Sequence, residues 1–174
     1  MKNLTREIRI VGPIAFIPLT RGFEAVIDAS DVALVAGRLW AARPSQRTAY
    51  AQSYRYADGR SHTIILHRLI LAAPEGALID HRDGNGLNNR RANLRFCSRS
   101  ENSRNRPAPR TNSSGVKGVC WSSRDNRWRA SIGVAPGVRK HLGLFLNKED
   151  ASTAYAAAAA LYHGEFACLS HEAA

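Results

Sequence analysis

Cysteine is scarce in this chain and poorly spaced for metal or disulfide chemistry. Cys97, Cys120 and Cys168 include no Cys-x-x-Cys pair, which excludes a four-thiolate zinc site. Their odd number and wide spacing suit reduced, partly buried thiols in a reducing compartment. Long apolar runs are also missing: none approaches the roughly 18 residues that a membrane-spanning helix needs. The apolar stretch 10–19 is cut by Pro13 and Pro18 and follows Glu7 and Arg9, so it does not read as a secretory signal. No internal repeat is visible. Acid is in short supply too. Against 25 Lys and Arg stand 14 Asp and Glu, a formal net charge of +11 over 174 residues. Such an excess attracts phosphate backbones through counterion release, with binding that weakens as salt rises, although charge alone assigns no function.

What is present falls into four parts: a β-rich region over 1–62, a compact motif over 63–106, a linker over 107–114, and a second folded unit over 115–170. In the first part, 23–27 reads as a strand and 29–40 as a helix capped by Asp28 or Ser30, with Val32, Val35, Ala36 and Leu39 on its buried face. Residues 48–56 alternate aromatic and polar side chains. Asp58-Gly59 is a tight-turn signal, and 61–66 is the returning strand of a hairpin. Tyr50, Tyr54, Arg55, Tyr56 and Arg60 on this hairpin either contact a nucleic acid or merely buttress the motif that follows. In the second part, 66–73 is a short helix ended by Pro74, and 78–81 and 94–97 are strands around a Gly- and Asn-rich loop. Ser98 and Glu101 form a capping-box pattern that opens another helix. The linker, Pro-Ala-Pro-Arg-Thr-Asn-Ser-Ser, is followed by three strands (116–122, 127–134, 139–145). A helix begins after Asn147 as cap and stops at Gly164. Its alanines let it lie close to a sheet, with Tyr155 and Leu161 as anchors. The expected fold class is α+β, with an N-terminal β-hairpin region, a strand–strand–helix core, and a three-stranded antiparallel sheet packed on one helix.

The densest chemistry lies between residues 79 and 105. Asp80-His81 is followed by Asn93 twelve residues after the His, and by Asn102 nine residues later. Seven arginines crowd the neighbourhood, with Glu101 the only acid from Arg90 to Arg110. Phosphodiester hydrolysis needs a base for the attacking water, a neutraliser for the added negative charge and stabilisation of the leaving oxygen. A neutral imidazole at His81 suits the first task. Asp80 and Asn102 offer hard oxygens that suit one Mg2+ or Mn2+ rather than zinc, and such an ion would serve the other two. Asn93 can hydrogen-bond the imidazole or a nearby carbonyl to fix the ring. Because adjacent strand residues face opposite ways, Asp80 and His81 share a site only if the strand end twists. Asn85, Asn88 and Asn89 read as loop formers. His67 packs against the motif, Asn105 is a phosphate contact or exposed, and His62, His163 and His171 are surface residues. An EF-hand calcium loop is excluded because alternate ligands and the late Glu are missing.

At these residues the chain resembles the HNH endonuclease family with its ββα-metal fold. The match covers about 66–106, with Asp80-His81, Asn93 and Asn102 at the three motif positions. An Asn in the third position, together with His67-Arg68-Leu69-Ile70 and Asp80-His81-Arg82-Asp83-Gly84-Asn85, is similar to the phage homing-endonuclease branch. The resemblance implies one divalent metal held by Asp80 and Asn102, with His81 as the base. In the last part, Arg127, Arg129, Ser131 and Gly133 alternate with Trp128, Ala130, Ile132 and Val134. This places a basic face opposite an apolar one. Gly115-Val116-Lys117-Gly118-Val119, Trp128-Arg129-Ala130, His141-Leu142-Gly143-Leu144-Phe145 and the run around Tyr155 resemble the Apetala-two/ethylene-response-factor DNA-binding domain. In that family a narrow sheet reads the major groove. Lys117, Cys120 and His141 depart from its usual residues. Trp128 reads as core, and Trp121 as either core or a stacking surface.

Together these features lead to an expectation of a site-directed, metal-dependent DNA endonuclease of homing or mobile-element type, acting on double-stranded DNA in a bacterial or phage-infected cytoplasm. Lys117, Arg124, Arg127, Arg129, Arg139 and Lys140, with Arg95, Arg99, Arg104 and Arg106, are its candidate DNA contacts. No obligate protein partner is evident. A monomer is favoured, with a dimer still open. The alternatives are a non-catalytic DNA-binding regulator on a nuclease fold and an RNA-processing nuclease. Removal of 107–174 is expected to leave the nuclease centre competent while weakening binding.

Overall fold

The computed structural model describes residues 7–109 and 111–168; Arg110 and His171, singled out above, lie outside them. The chain is α+β, with small antiparallel sheets and, among the described residues, four α-helices, in two compact units, Met1–Cys97 and Ser98–Ala174.

In the first unit, β1 (Arg9–Val11), β2 (Ile14–Pro18) and β3 (Glu24–Asp28) form one sheet. The two prolines that break the apolar pattern do not prevent strands here. Gly12 at φ 58 and Pro13 make a two-residue turn between the paired Val11 and Ile14, and Pro18 ends β2. The helix expected over 29–40 shrinks to a 3-10 turn at Ala29–Asp31 and a single turn, α1 (Val32–Val35). Gly37 at φ 72 follows closely, and Leu39 is exposed while Trp40 is buried. Of the two expected caps, Asp28 stands at the start of the 3-10 turn but makes no side-chain capping bond, its carboxylate being turned to Arg90 and Arg91; Asp31, ahead of α1, is likewise turned to Arg91.

Next comes a second sheet of β4 (Ala41–Pro44), β5 (Ala49–Ala57) and β6 (Arg60–Ile65). Its hairpin has Ala57 opposite Arg60 across Asp58 and Gly59, both at positive φ (51 and 72). Two successive positive values are what a type I′ turn requires. The helix α2 (Leu66–Ile70) follows, then β7 (Leu78–His81) and β8 (Leu94–Cys97), paired antiparallel. Ala15, Ile17, Ala25, Ile27, Val35, Leu66, Ile70 and Leu94 share one buried cluster. The motif and the N-terminal sheets thus rest on a common core.

The second unit opens with α3 (Arg99–Asn105), whose capping box is complete. The Glu101 amide donates to Ser98 Oγ at 3.2 Å, and the Ser98 amide donates to Glu101 Oε2 at 2.7 Å. Then β9 (Val119–Ser122), β10 (Arg127–Ala135) and β11 (Val138–Phe145) form a sheet that packs on α4 (Lys148–His163). Val119, Ala130, Ile132, Ala151, Tyr155 and Ala159 make its core. Gly118 is needed at φ 74 under the Tyr155 ring, where a Cβ would lie 2.3 Å from ring carbon. Gly164 at φ 53 ends α4. Asn147 is the N-cap as expected, although its side chain reaches Asp150 at 3.4 Å instead of a backbone amide; the expectation that fails on this helix is Leu161, which is exposed.

Candidate active site

Sheet pairing sets Asp80 opposite Arg95 and His81 opposite Leu94. Regular alternation would turn the two side chains to opposite faces, but β7 ends at His81 and the Asp80 charge still acts on its ring; both side chains are buried. Arg95 Nε and Nη2 donate to Asp80 Oδ2 at 2.9 and 2.6 Å. This overturns the expectation of Arg95 as a DNA contact: its side chain is only 6% exposed. The cross-strand register delivers the guanidinium to a carboxylate that burial would otherwise penalise heavily.

His81 Nε2 lies 3.4 Å from Asn89 Oδ1. Asn89 is fully buried, and its Nδ2 donates to the carbonyls of Leu87 (3.0 Å) and Gly86 (3.4 Å). Those two bonds aim Oδ1 at the imidazole. An acceptor there selects the tautomer protonated at Nε2, assigned from this network, and makes Nδ1 the basic nitrogen. Desolvation by burial pushes the His81 pKa below its usual value, against the raising effects of Asn89, Asp83 and Asp80. A neutral base near pH 7 is the result. Asn89, read from sequence as a loop former, is therefore the ring's orienting partner. Its residue type carried no signal for that, because the same loop holds three other asparagines with different duties.

Asn93 acts elsewhere. Its Nδ2 donates to Asp83 Oδ1 (2.9 Å) and to the Asn88 carbonyl (2.8 Å), and its Oδ1 accepts from the Asp83 amide (3.1 Å). Of its two expected partners, it takes a carbonyl. Asp83 also accepts from the Asn85 amide (2.8 Å) and Asn88 Nδ2 (2.7 Å). The loop is thereby closed by side chains, as short polar residues can do where no ladder is available.

The N-terminal sheets hold this loop from outside. The Val26 amide donates to the Leu87 carbonyl (2.8 Å), and the Asn89 amide donates to the Val26 carbonyl (2.7 Å). Arg91 grips buried Asp31 through Nε (3.0 Å) and Nη2 (2.7 Å), its backbone amide donates to Asp28 (2.8 Å), and Arg90 reaches Asp28 at 3.3 Å. Two arginines of the basic cluster are thus ion-paired with acids 60 and 62 positions earlier, where a local count could not find them.

Three rings meet behind the base. Tyr50, His67 and His81 have centroids 5.9 Å (Tyr50–His67), 5.9 Å (Tyr50–His81) and 5.1 Å (His67–His81) apart. Burial first, then the neighbouring His81 and Arg68, lowers the His67 pKa to about 4.

In the second unit Asn102 lies half-buried on α3, and Asn105, expected to be exposed or at a phosphate, is buried. Alternation on β10 is as expected: Arg127 and Arg129 are exposed while Ala130 and Ile132 are buried. Arg139 pairs with Gly133 and joins that outer face, whereas Lys140 pairs with Ile132 on the helix side and donates to Tyr162 OH at 2.7 Å. Lys117 Nζ donates to the carbonyls of Ser103 (3.2 Å), Arg104 (2.6 Å) and Arg106 (2.5 Å), closing the C-terminus of α3. Arg104 reaches the Val134 carbonyl at 3.4 Å. Arg99, Arg106 and Arg124 are exposed. His163, expected at the surface, is buried, with Nε2 2.8 Å from the Gly133 carbonyl. Trp121 and Trp128 meet edge to face at 5.3 Å. Trp128 packs on the core and Trp121 stands 46% exposed.

Comparison with known proteins agrees with the motif. Residues 66–104 match the HNH endonuclease family. Over 86 residues the chain is 38% identical to Protein 3.8 of Escherichia phage T7, a stretch covering 49% of this chain and 69% of that protein. The chain belongs to the same family as that phage protein. Its HNH endonuclease domain spans α2, β7, β8 and most of α3. No solved structure matches.

An HNH domain implies a divalent metal. The Asp80 carboxylate is a hard donor of the chemistry such an ion takes, and Arg95, donating to its Oδ2 at 2.9 and 2.6 Å, fixes its rotation as outer partners of metal ligands do. Among the described residues no group of three or more His, Cys, Asp and Glu gathers; a carboxylate–amide pair is a different kind of site. No helix among them is long and apolar enough to cross a membrane.

Proposed function

We propose that the protein is a metal-dependent DNA endonuclease of the homing or mobile-element kind, acting on double-stranded DNA in the cytoplasm of a bacterial or phage-infected cell. The observation that carries the reading is the buried, neutral imidazole of His81, oriented by Asn89 inside an HNH endonuclease domain. In this mechanism His81 Nδ1 takes the proton of the attacking water. Asn89 holds the ring, and Asn93 holds the loop that carries Asn89. Asp80 and Asn102 hold one Mg2+ or Mn2+. The support for Asp80 is its donor chemistry, and for Asn102 its motif position within the matched 66–104. When bound, the ion supplies positive charge to the phosphate and the leaving oxygen.

Arg127, Arg129 and Arg139 on the open face of the second sheet are the DNA contacts we assign there, in the manner of an Apetala-two-type domain, with Arg99, Arg106 and Arg124 as phosphate contacts. Lys117, Lys140 and Arg95 drop out because their cationic groups are engaged within the protein. The test is nicking of supercoiled plasmid with Mg2+. We expect nicking by the native protein, and none by His81→Ala although it still binds DNA. The Asp80–Arg95 ion pair favours one competitor, a DNA-binding protein without catalysis. Binding without nicking by the native protein would select it.

A further inference from the structure

Beside the three rings, the first unit holds an open cavity of about 360 Å3, lined chiefly by Arg43, Tyr50, Gln52 and His67. This volume lies in the range of about 300–1,000 Å3 usual for ligand sites. Its lining is built by register. Arg43 on β4 is paired with Tyr50 on β5, so the two side chains rise on the same face as direct neighbours. Gln52, two residues on, shares that face. His67, whose ring also abuts His81, completes this part of the lining.

Tyr50 is held firmly. Gly86 lies against its ring so closely that a Cβ there would fall 2.6 Å from Cδ1 and Cε1 and 2.5 Å from the Ala49 carbonyl oxygen. The Gly86 amide donates to Thr48 Oγ1 at 2.9 Å. The same loop that carries Asn89 and orients the base thus also fixes the tyrosine. An aromatic ring and a solvent-exposed guanidinium around an open cavity are groups that hold a nucleotide, π-face for a base and charge for phosphate; the Gln52 amide donates to Tyr54 Oη at 2.5 Å beside them. A packed core would call for none of these polar groups.

We propose that this cavity is a nucleotide subsite next to the cleavage centre, with a base stacked on Tyr50 and its phosphate against Arg43. A base in an intact duplex is covered on both faces, so the occupant is a nucleotide unstacked from its neighbours. The proposal rests on the nuclease reading for its biological meaning, but its test is separate. In EDTA, fluorescence anisotropy compares a short oligothymidylate with the same oligonucleotide lacking its bases. We expect the native protein to prefer the base-bearing strand about tenfold, consistent with one stacked base. Tyr50→Leu should abolish that preference, and Arg43→Ala should weaken both ligands alike. Because Arg43 is exposed, its variant keeps the test alive should Tyr50→Leu fail to fold. An undiminished preference in Tyr50→Leu, or unchanged affinity in Arg43→Ala, overturns the subsite. If plasmid nicking with Mg2+ succeeds while these arms fail, only the subsite falls. If the arms hold and nicking fails, the nuclease reading falls and a strand-binding site remains.

Discussion

At the scale of single residues, the site depends on groups that the protein keeps neutral or pairs off. His67 has a folded pKa of about 4 against 6.5 in the unfolded chain. On acidification the unfolded state takes the proton first, so the stabilisation is complete above pH 6.5 and is lost progressively down to pH 4. The expected loss is on the order of 2 kcal/mol after discounting for partial exposure. Urea midpoints compared at pH 7 and 4.5 should show it, and His67→Phe should flatten the dependence. His81, lowered for the same reason, adds in the same direction. Asn89 makes a different demand. Replacing it with Ala removes the acceptor at His81 Nε2, and kcat should fall by about 10- to 100-fold with DNA affinity nearly unchanged. Steady-state nicking assays beside anisotropy separate the two effects. Asp31 is buried beneath Arg91, and Arg91→Ala should cost about 1–3 kcal/mol in urea unfolding, since it strips a buried carboxylate of its strongest donors.

At the scale of elements, the strands of the motif and its capping box were legible. Residues 78–81 and 94–97 are bounded by Pro, Gly and Asn, and Ser98-x-x-Glu101 is a pattern with a local mechanism. The second sheet was legible for the same reason, its alternation surviving two irregularities of register on β10. What sequence could not yield was set by distant partners. The helix expected over 29–40 gave way to one turn once Asp28 and Asp31 served Arg90 and Arg91. β1, β2 and β4 carry no period-two signature strong enough to announce them. Asn89 was one asparagine among several until the tertiary fold gave it a ring to face. Gly118 tests the sheet–helix packing of the second unit. Gly118→Ala combines a strained left-handed φ of 74° with a 2.3 Å approach to Tyr155. It should lower the stability of that unit by about 2–4 kcal/mol, seen as an earlier thermal transition.

At the scale of the whole molecule, an excess of basic side chains should make DNA binding strongly salt-dependent. For Arg99→Ala with Arg124→Ala, the slope of log affinity against log salt should shrink by about 2, near 0.9 for each phosphate that is no longer neutralised. Titrations at several salt concentrations measure it. The boundary between the two compact units, at Cys97 and Ser98, bears on what can be cut away. The Pro-rich stretch 107–114 resembles a seam in the sequence, yet Lys117, beyond it, holds three terminal carbonyls of α3. The helix that bears Asn102 therefore owes its last turn to a lysine on the far side of that stretch. A protein ending at residue 106 should be inactive, contrary to what composition suggests, and plasmid nicking by that truncation decides the matter. In evolutionary terms, cleavage and target reading in this lineage would be inherited together: a recombination joint at the obvious linker would transplant neither one intact.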